Sequence, residues 1–268
     1  LPSSRLVGGC SMRLLFATAG LEGMPKLIVV AGPSGVGKSP LVQSIRKLYP
    51  KLGEQLHKLV LYNDRKPRPG EHDGIDYHFR SSGEIKELKD QPGYVVVDNR
   101  GDLQALELNS IKATLDLGYD ALYEGNVSLV MQLRKRGVLQ KFDSLTIFLS
   151  PLSRAEILYA KERGLDLQRL IADIQRRKLL QRAECLTESL SPTVLADIEK
   201  RAKSAYGEVC EASSFDYVVP LYDGEGHDNW DRFGILIGSA RSAVNTVAQL
   251  VLRKEPDGVE HWEKDLIA

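Results

Sequence analysis

The sequence predicts an α/β fold with a parallel central sheet, and two observations support this. Short apolar runs of strand length, rich in β-branched residues, recur along the chain. Between them lie segments whose apolar residues return every three or four positions, as on one face of a helix. Strands that alternate with helices favour a parallel sheet covered on both faces. The predicted strands are residues 27–31, 59–62, 94–97, 121–123, 145–149 and 217–219.

Three further segments are predicted to be helical. Residues 104–117 carry Ala105, Leu108, Ile111 and Leu115 on one helical face, and residues 230–252 show the same periodicity. The segment 153–205 is charged and offers few residues to bury, so we expect it to form a helical lid. The length of 268 residues fits one core with smaller inserts.

Positive and negative side chains balance, with 36 Lys and Arg against 36 Asp and Glu. No overall field attracts nucleic acid or an anionic membrane, and no apolar run approaches the roughly 18 residues that span a bilayer. We therefore expect neither nucleic acid nor membrane as a partner. Three widely spaced cysteines fit a reducing, cytoplasmic compartment. Residues 1–23 are expected to be a disordered extension or a cloning remnant, and the oligomeric state is not indicated.

Residues 32–39 read Gly-Pro-Ser-Gly-Val-Gly-Lys-Ser, which matches G-x-x-x-x-G-K-[ST] between a predicted strand and a helix. Such a loop turns backbone N–H groups toward phosphate oxygens, while Lys38 reaches the β- and γ-phosphates and Ser39 ligates Mg²⁺. Pro40 is tolerated because the first helical turn needs no N–H donor there. The residues predicted to bind ATP are Gly32, Pro33, Ser34, Gly35, Val36, Gly37, Lys38, Ser39 and Pro40.

A second loop, residues 65–79, suits a monophosphate acceptor. Arg65 and Arg68 place two guanidinium groups three residues apart on a proline-rich loop, and Tyr77 adds a hydroxyl donor. Two such forks can grip a dianionic phosphate from two directions. If Arg68→Ala left acceptor affinity and turnover unchanged, this assignment would be wrong.

The second loop reads R-x-P-R-x-G-E followed by G-x-D-Y-x-F. Together with the Gly-Pro-Ser-Gly of the first loop, it closely resembles guanylate kinases. The resemblance implies a three-layer P-loop kinase fold: a parallel central sheet, a small mixed-sheet acceptor insert and a helical lid. The implied domains are a core of residues 24–56, 101–152 and 206–268, an acceptor domain of residues 57–100 and a lid of residues 153–205.

The resemblance also implies site residues. Arg65, Arg68 and Tyr77 are similar to the acceptor-phosphate ligands, and Asp98 to the acid that reads the guanine edge, where the family usually has glutamate. Glu124, at a strand end, falls where the family has an aspartate near Mg²⁺ and the acceptor.

In the lid, Arg163 and Arg201 resemble the arginines that close over the transferring phosphoryl group and act with Lys38. Because the lid is long, Arg176, Arg177 or Arg182 could take the place of Arg163.

The implied function is transfer of a phosphoryl group from ATP, with Mg²⁺, to a nucleoside monophosphate, with GMP favoured. One alternative is a different nucleotide or a small phosphorylated acceptor, because the base-reading region departs from the family pattern. The other is a guanylate kinase-like protein-interaction module without catalysis. The intact Gly37, Lys38 and Ser39 argue against the second alternative, since a scaffold has no need of a phosphate-binding lysine.

Overall fold

The structure is a computed structural model that describes residues 23–67, 70–186, 190–232 and 234–267. Arg68 and residues 1–22 lie outside the described residues, so the expectations for them stay predictions. The strands are, in chain order, β1 (Leu27–Ala31), β2 (Leu56–Lys58), β3 (Leu61–Asn63), β4 (Tyr77–Phe79), β5 (Tyr94–Asn99), β6 (Asp102–Glu107), β7 (Asp120–Gly125), β8 (Ser144–Ser150) and β9 (Tyr217–Pro220).

The helices lie between groups of these strands and after the last strand. They are α1 (Lys38–Leu48), α2 (Pro50–Gln55), α3 (Ser82–Glu87), α4 (Leu108–Asp116), α5 (Val127–Lys135), α6 (Arg154–Glu162), α7 (Leu167–Leu186), α8 (Pro192–Cys210) and α9 (Gly238–Val251). None of the helices within the described ranges is long and apolar enough to cross a bilayer.

The central sheet has the order β2-β7-β1-β8-β9 and every neighbouring pair is parallel. The strand β1 lies in the middle and is completely buried. Its alternate residues point to opposite faces: Val29 belongs to one hydrophobic cluster, whereas Val30 belongs to the other. Each buried side chain of this size contributes roughly 1.5–3 kcal/mol relative to exposure. The predicted parallel sheet, covered by helices on both faces, is therefore confirmed.

A second, mixed sheet has the order β4-β3-β6-β5. Strands β3 and β4 are parallel, whereas β6 runs antiparallel to both β3 and β5. The predicted helix of residues 104–117 is wrong at its start, because residues 104–107 belong to β6 and pair with β5 along its length. The helix α4 begins only at Leu108. This sheet thus extends past residue 100, the predicted end of the acceptor domain. The division of the chain into core, acceptor domain and lid remains a prediction.

The segment 153–205 is helical as predicted, but the expectation that it has little to bury is wrong. Ile157 of α6, Ile171 of α7 and Ala205 of α8 are completely buried in the same hydrophobic cluster as Val29. These helices therefore pack against one face of the central sheet. Near the C-terminus, residues 230–252 are predicted to form a helix or a helix pair. The structure has a short 3-10 helix at Asp228–Trp230, and the α-helix begins at Gly238, as α9.

Candidate active site

The phosphate loop connects the buried end of β1 to α1, and its glycines are sterically required. Gly32 has φ 150°, and a Cβ built there would lie 2.5 Å from the Leu149 carbonyl oxygen. Gly37 has φ 119°, and a Cβ there would lie within 3.0 Å of Leu221, Asp223 and Trp230. Since α1 starts directly after Gly37, its free N–H groups and partial positive charge lie at the loop, as an anion site requires.

Lys38 is buried at the first position of α1 and its ammonium group stays within the loop. The Nζ donates hydrogen bonds to the carbonyl oxygens of Gly32 at 2.9 Å and Pro33 at 2.8 Å. Burial lowers the pKa of Lys38, and the nearby carboxylate of Glu225 is the strongest of the charges that oppose this. A phosphate that enters beside Lys38 would add negative charge and favour the ammonium form.

Ser39 and Glu124 provide two oxygen atoms at the mouth of the loop. Glu124 lies near the carboxyl end of β7, and its Oε1 accepts a 2.6 Å hydrogen bond from the Ser39 hydroxyl. A hydroxyl and a carboxylate in this position fit Mg²⁺, which takes one or two protein oxygens and completes its shell with water and substrate phosphates. Among the described residues, no group of three or more His, Cys, Asp or Glu side chains is placed to hold a metal ion. Bound there, Mg²⁺ would supply positive charge to the nucleotide phosphates.

The acceptor side is built on the second sheet and the loop that joins β3 to β4. Both terminal nitrogens of Arg65 donate to Glu71 at 2.6 Å, so the guanidinium is held as a bidentate pair. Its carbon lies 5.0 Å from the centre of the Tyr77 ring and 5.5 Å from that of Phe79. Burial would lower the pKa of Arg65, but the bond to Glu71 outweighs it and the pKa is raised. Arg65 is therefore a fixed cation.

One cavity of about 280 Å³ joins the two sides of the site. Lys38 and Ser39 line it from the central sheet, and Arg65 and Tyr77 line it from the second sheet. The remaining predicted site residues on its wall are Gly32, Ser34, Gly35, Glu124 and Arg201. The structure therefore places the two positively charged loops around a shared space. Of the other predicted ATP-binding residues, Pro40 lines a separate groove beside Trp230.

The two predicted lid arginines lie in different places. Arg201 of α8 faces the phosphate loop, with NH1 3.4 Å from the Ser34 Oγ and NH2 2.5 Å from Asp197. Arg163 directly follows α6, is exposed, and stacks its guanidinium 4.8 Å from the Tyr159 ring. It does not line the cavity. The structure thus brings Arg201 to the site and leaves Arg163 outside it.

Asp98 is also left outside the cavity. It pairs directly with Leu103 across the β5–β6 hairpin, is exposed, and accepts a 2.6 Å hydrogen bond from the Gly101 N–H. The next pair, Asn99 and Asp102, points to the opposite face and lines the cavity. Asp98 therefore lies on the face turned away from the cavity, because a strand alternates its faces at every residue, and its role in base reading stays a prediction. The position of Asp102 was not foreseen, because residues 104–107, and with them the hairpin, were predicted as helix and not as strand.

Within the part of the chain that the structure describes, four arginines lie on the cavity wall, and each bonds a carboxylate. The pairs are Arg65–Glu71, Arg100–Glu208, Arg182–Glu225 and Arg201–Asp197. None of these four acids belonged to the sequence-based site. Asp197 lies four residues from Arg201 on the same helix and Glu71 lies six residues from Arg65. Glu208 and Glu225 lie more than 40 residues from their arginines, so no local pattern marks those two. The arginines are thus held in place by acids with which a nucleotide phosphate must compete.

The chain is similar in sequence to guanylate kinases. The family model described as guanylate kinase matches residues 24–189. A guanylate kinase of Synechococcus sp. (strain JA-3-3Ab) is 34% identical over 161 residues, which cover 59% of this chain and 69% of that protein. A guanylate kinase of Chlamydia muridarum is 27% identical over 205 residues, covering 76% and 83% of the two chains. One of Streptococcus thermophilus is 32% identical over 191 residues, covering 70% and 87%.

The fold is similar to the crystal structure of guanylate kinase from Anaplasma phagocytophilum, with a TM-score of 0.52, 17% identity and coverage of 86% of each chain. The matched residues 24–189 include the phosphate loop, the acceptor loop and Glu124. On the family match and the curated relatives together, the chain belongs to the guanylate kinase family.

Proposed function

We propose that this protein transfers the γ-phosphoryl group of ATP to GMP and so produces ADP and GDP. A phosphate oxygen of GMP forms a bond to the γ-phosphorus, and the bond from that phosphorus to the β,γ-bridging oxygen breaks. The observation that carries the proposal is the single cavity lined by Lys38 and Ser39 on one side and by Arg65 and Tyr77 on the other. Family membership supports it independently.

The reaction depends on placement and on neutralising charge more than on covalent chemistry. In the proposed assignment, the phosphate loop and Lys38 hold the β- and γ-phosphates of ATP. Ser39 and Glu124 hold Mg²⁺, and Arg65 and Tyr77 hold the acceptor phosphate. Arg201, beside Ser34, neutralises the group in transfer. Arg68 belongs to this assignment by sequence only.

Base recognition is proposed to rest on Asp102. Its carboxylate lies on the cavity face of the second sheet, near enough to Arg65 to raise the pKa of that guanidinium. A carboxylate there can accept two N–H donors from the guanine edge, whereas adenine offers no such pair of donors.

A cytoplasmic location, suggested by the cysteines, also remains a prediction.

The function is tested by measuring ADP release with ATP, Mg²⁺ and each of GMP, AMP, CMP and UMP in turn. We expect GMP to give the fastest release. Lys38→Ala should lower kcat by about a hundredfold or more, because a buried cation at the transferring phosphates is lost. ADP release that no monophosphate stimulates would contradict the proposal.

The same panel separates the two alternatives. Faster turnover with another monophosphate would identify a kinase with a different acceptor, which the departure from the family's base-reading pattern keeps open. Absence of ADP release with every acceptor would indicate an interaction module.

A further inference from the structure

The long helix α7 packs directly on the phosphate loop. Two of its residues contact the phosphate loop, and two more on the same helical face contact the neighbouring segment 221–225. Gln175 donates to the Ser34 carbonyl oxygen at 3.4 Å, and Leu179 lies so close to Gly35 that a Cβ there would be 2.8 Å from its Cδ2. Lys178 donates to the Leu221 carbonyl oxygen at 2.7 Å. One turn further, Arg182 bonds Glu225 at 2.8 Å.

The loop that carries Glu225 is bound to the phosphate loop in turn. The Glu225 N–H donates to the Gly35 carbonyl oxygen at 3.3 Å. A Cβ at Gly226 would lie 2.7 Å from the backbone of Arg182, so the loop and α7 touch without an intervening side chain. Arg182 therefore reaches the cavity from a helix that is already packed against the phosphate loop.

The structure also distinguishes Arg182 from its neighbours on α7. Arg176 is bonded to Glu199 of α8 and to Asp173, and the side chain of Arg177 is exposed. Neither lines the cavity, whereas Arg182 does. Among the arginines of α7, Arg182 is thus the one positioned to meet a bound phosphate.

We propose that Arg182 binds the phosphates of the donor nucleotide and is preset for this by α7, so that it acts before any acceptor is bound. Glu225 holds the guanidinium at the cavity while no nucleotide is present, and the phosphate oxygens then compete for it. This inference rests on the proposed ATP-dependent function. In this proposal the contact with the donor phosphates comes from α7, which is already packed on the phosphate loop. A lid that closes only after both substrates are bound would make such a contact later.

The test is the affinity for Mg²⁺ and the non-hydrolysable ATP analogue AMP-PNP, measured by titration calorimetry without acceptor. Arg182→Gln should weaken binding about tenfold to a hundredfold, the usual range for a lost charge-assisted hydrogen bond. Arg169→Gln, at a position of the same helix where the side chain is 81% exposed, should bind as the wild type does. Arg182→Lys keeps the charge without the planar fork and should recover part of the lost affinity.

Equal affinity in Arg182→Gln, Arg169→Gln and the wild type would overturn the proposal. If Arg182→Gln fails to fold, Arg182→Lys decides the question, because it retains a partner for Glu225: wild-type affinity in that variant would contradict the need for a guanidinium. In steady-state assays the KM for ATP should rise in Arg182→Gln while the KM for GMP stays within about twofold of wild type. Since the calorimetry contains no acceptor, its outcome is independent of whether GMP is the acceptor.

Discussion

Lys178 is a buried lysine behind the phosphate loop. Its side chain is only 6% exposed, and its Nζ donates to the Leu221 carbonyl oxygen. Burial lowers its pKa to about 7; the charge of Asp223 opposes the shift, and Lys38 adds to it. Keeping the proton on Lys178 is therefore less favourable in the folded state than in the unfolded chain.

The sign of the resulting pH dependence follows from proton linkage. Between pH 7 and 10.5 the unfolded chain holds a proton on Lys178 that the folded chain lacks, so stability rises with pH. Relative to Lys178→Met, the free energy of unfolding of the wild type should increase by up to about 1.4 kcal/mol per pH unit in this range. Urea denaturation at pH 7, 8 and 9 measures this. A difference between the two proteins that does not change with pH would contradict it.

Asp102 and Asp98 form a matched pair for testing base choice, because they lie on opposite faces of one hairpin. Asp102→Asn removes the acceptor of two N–H donors, so the preference for GMP over AMP in kcat/KM should fall by about tenfold to a hundredfold. Asp98→Asn, outside the cavity, should keep the wild-type preference. The opposite result, with Asp98→Asn eroding the preference and Asp102→Asn leaving it intact, would restore the assignment made from the sequence pattern.

Among the elements, the β5–β6 hairpin is joined to α8, the helix that carries Arg201. Arg100, at the turn, has a left-handed backbone with φ 61°. Its NH1 donates to Glu208 at 2.9 Å, and its carbonyl oxygen accepts from the Lys200 ammonium. These bonds connect the second sheet to the helix that faces the phosphate loop, and Arg100, Lys200 and Glu208 all line the cavity.

A double-mutant cycle tests this connection. Glu208 is 14% exposed and Arg100 22%, so the pair is largely removed from water. We expect Arg100→Gln and Glu208→Gln each to destabilise the fold, and the double variant to lose about 1 kcal/mol less than the sum of the two. Urea denaturation gives the values, with Glu211→Gln at an exposed position of the next turn as control. Strictly additive losses would show that the pair is not coupled.

For the whole molecule, the cavity exists because two sheets meet at their functional edges. Asn126, directly after β7, donates to Gln104 of β6 at 2.6 Å, and both side chains are buried. The same Asn126 caps α5 by accepting from the Leu129 N–H. The bond between Asn126 and Gln104 fixes the second sheet against the core beside Glu124. The pairing of each cavity arginine with an acid keeps its guanidinium placed without a bound nucleotide.

Much of the fold follows from local pattern. The run Leu27–Ala31 is apolar on both faces because it is the central strand, and its length and composition predict this directly. Residues 104–107 show the limit of such reasoning. Their apolar positions fit a helix as well as a strand, and pairing with β5, a tertiary interaction, decides between the two.

By itself, the sequence determined the parallel core, the phosphate loop and the loop around Arg65 and Tyr77, because each of these depends on residues that are close in the chain. The tertiary structure alone decided which acids and arginines reach the cavity. It selected Asp102 over Asp98 through the alternating faces of a hairpin, and Arg182 over Arg163 through the packing of α7 on the phosphate loop. Those choices depend on contacts between distant segments, which no local spacing encodes.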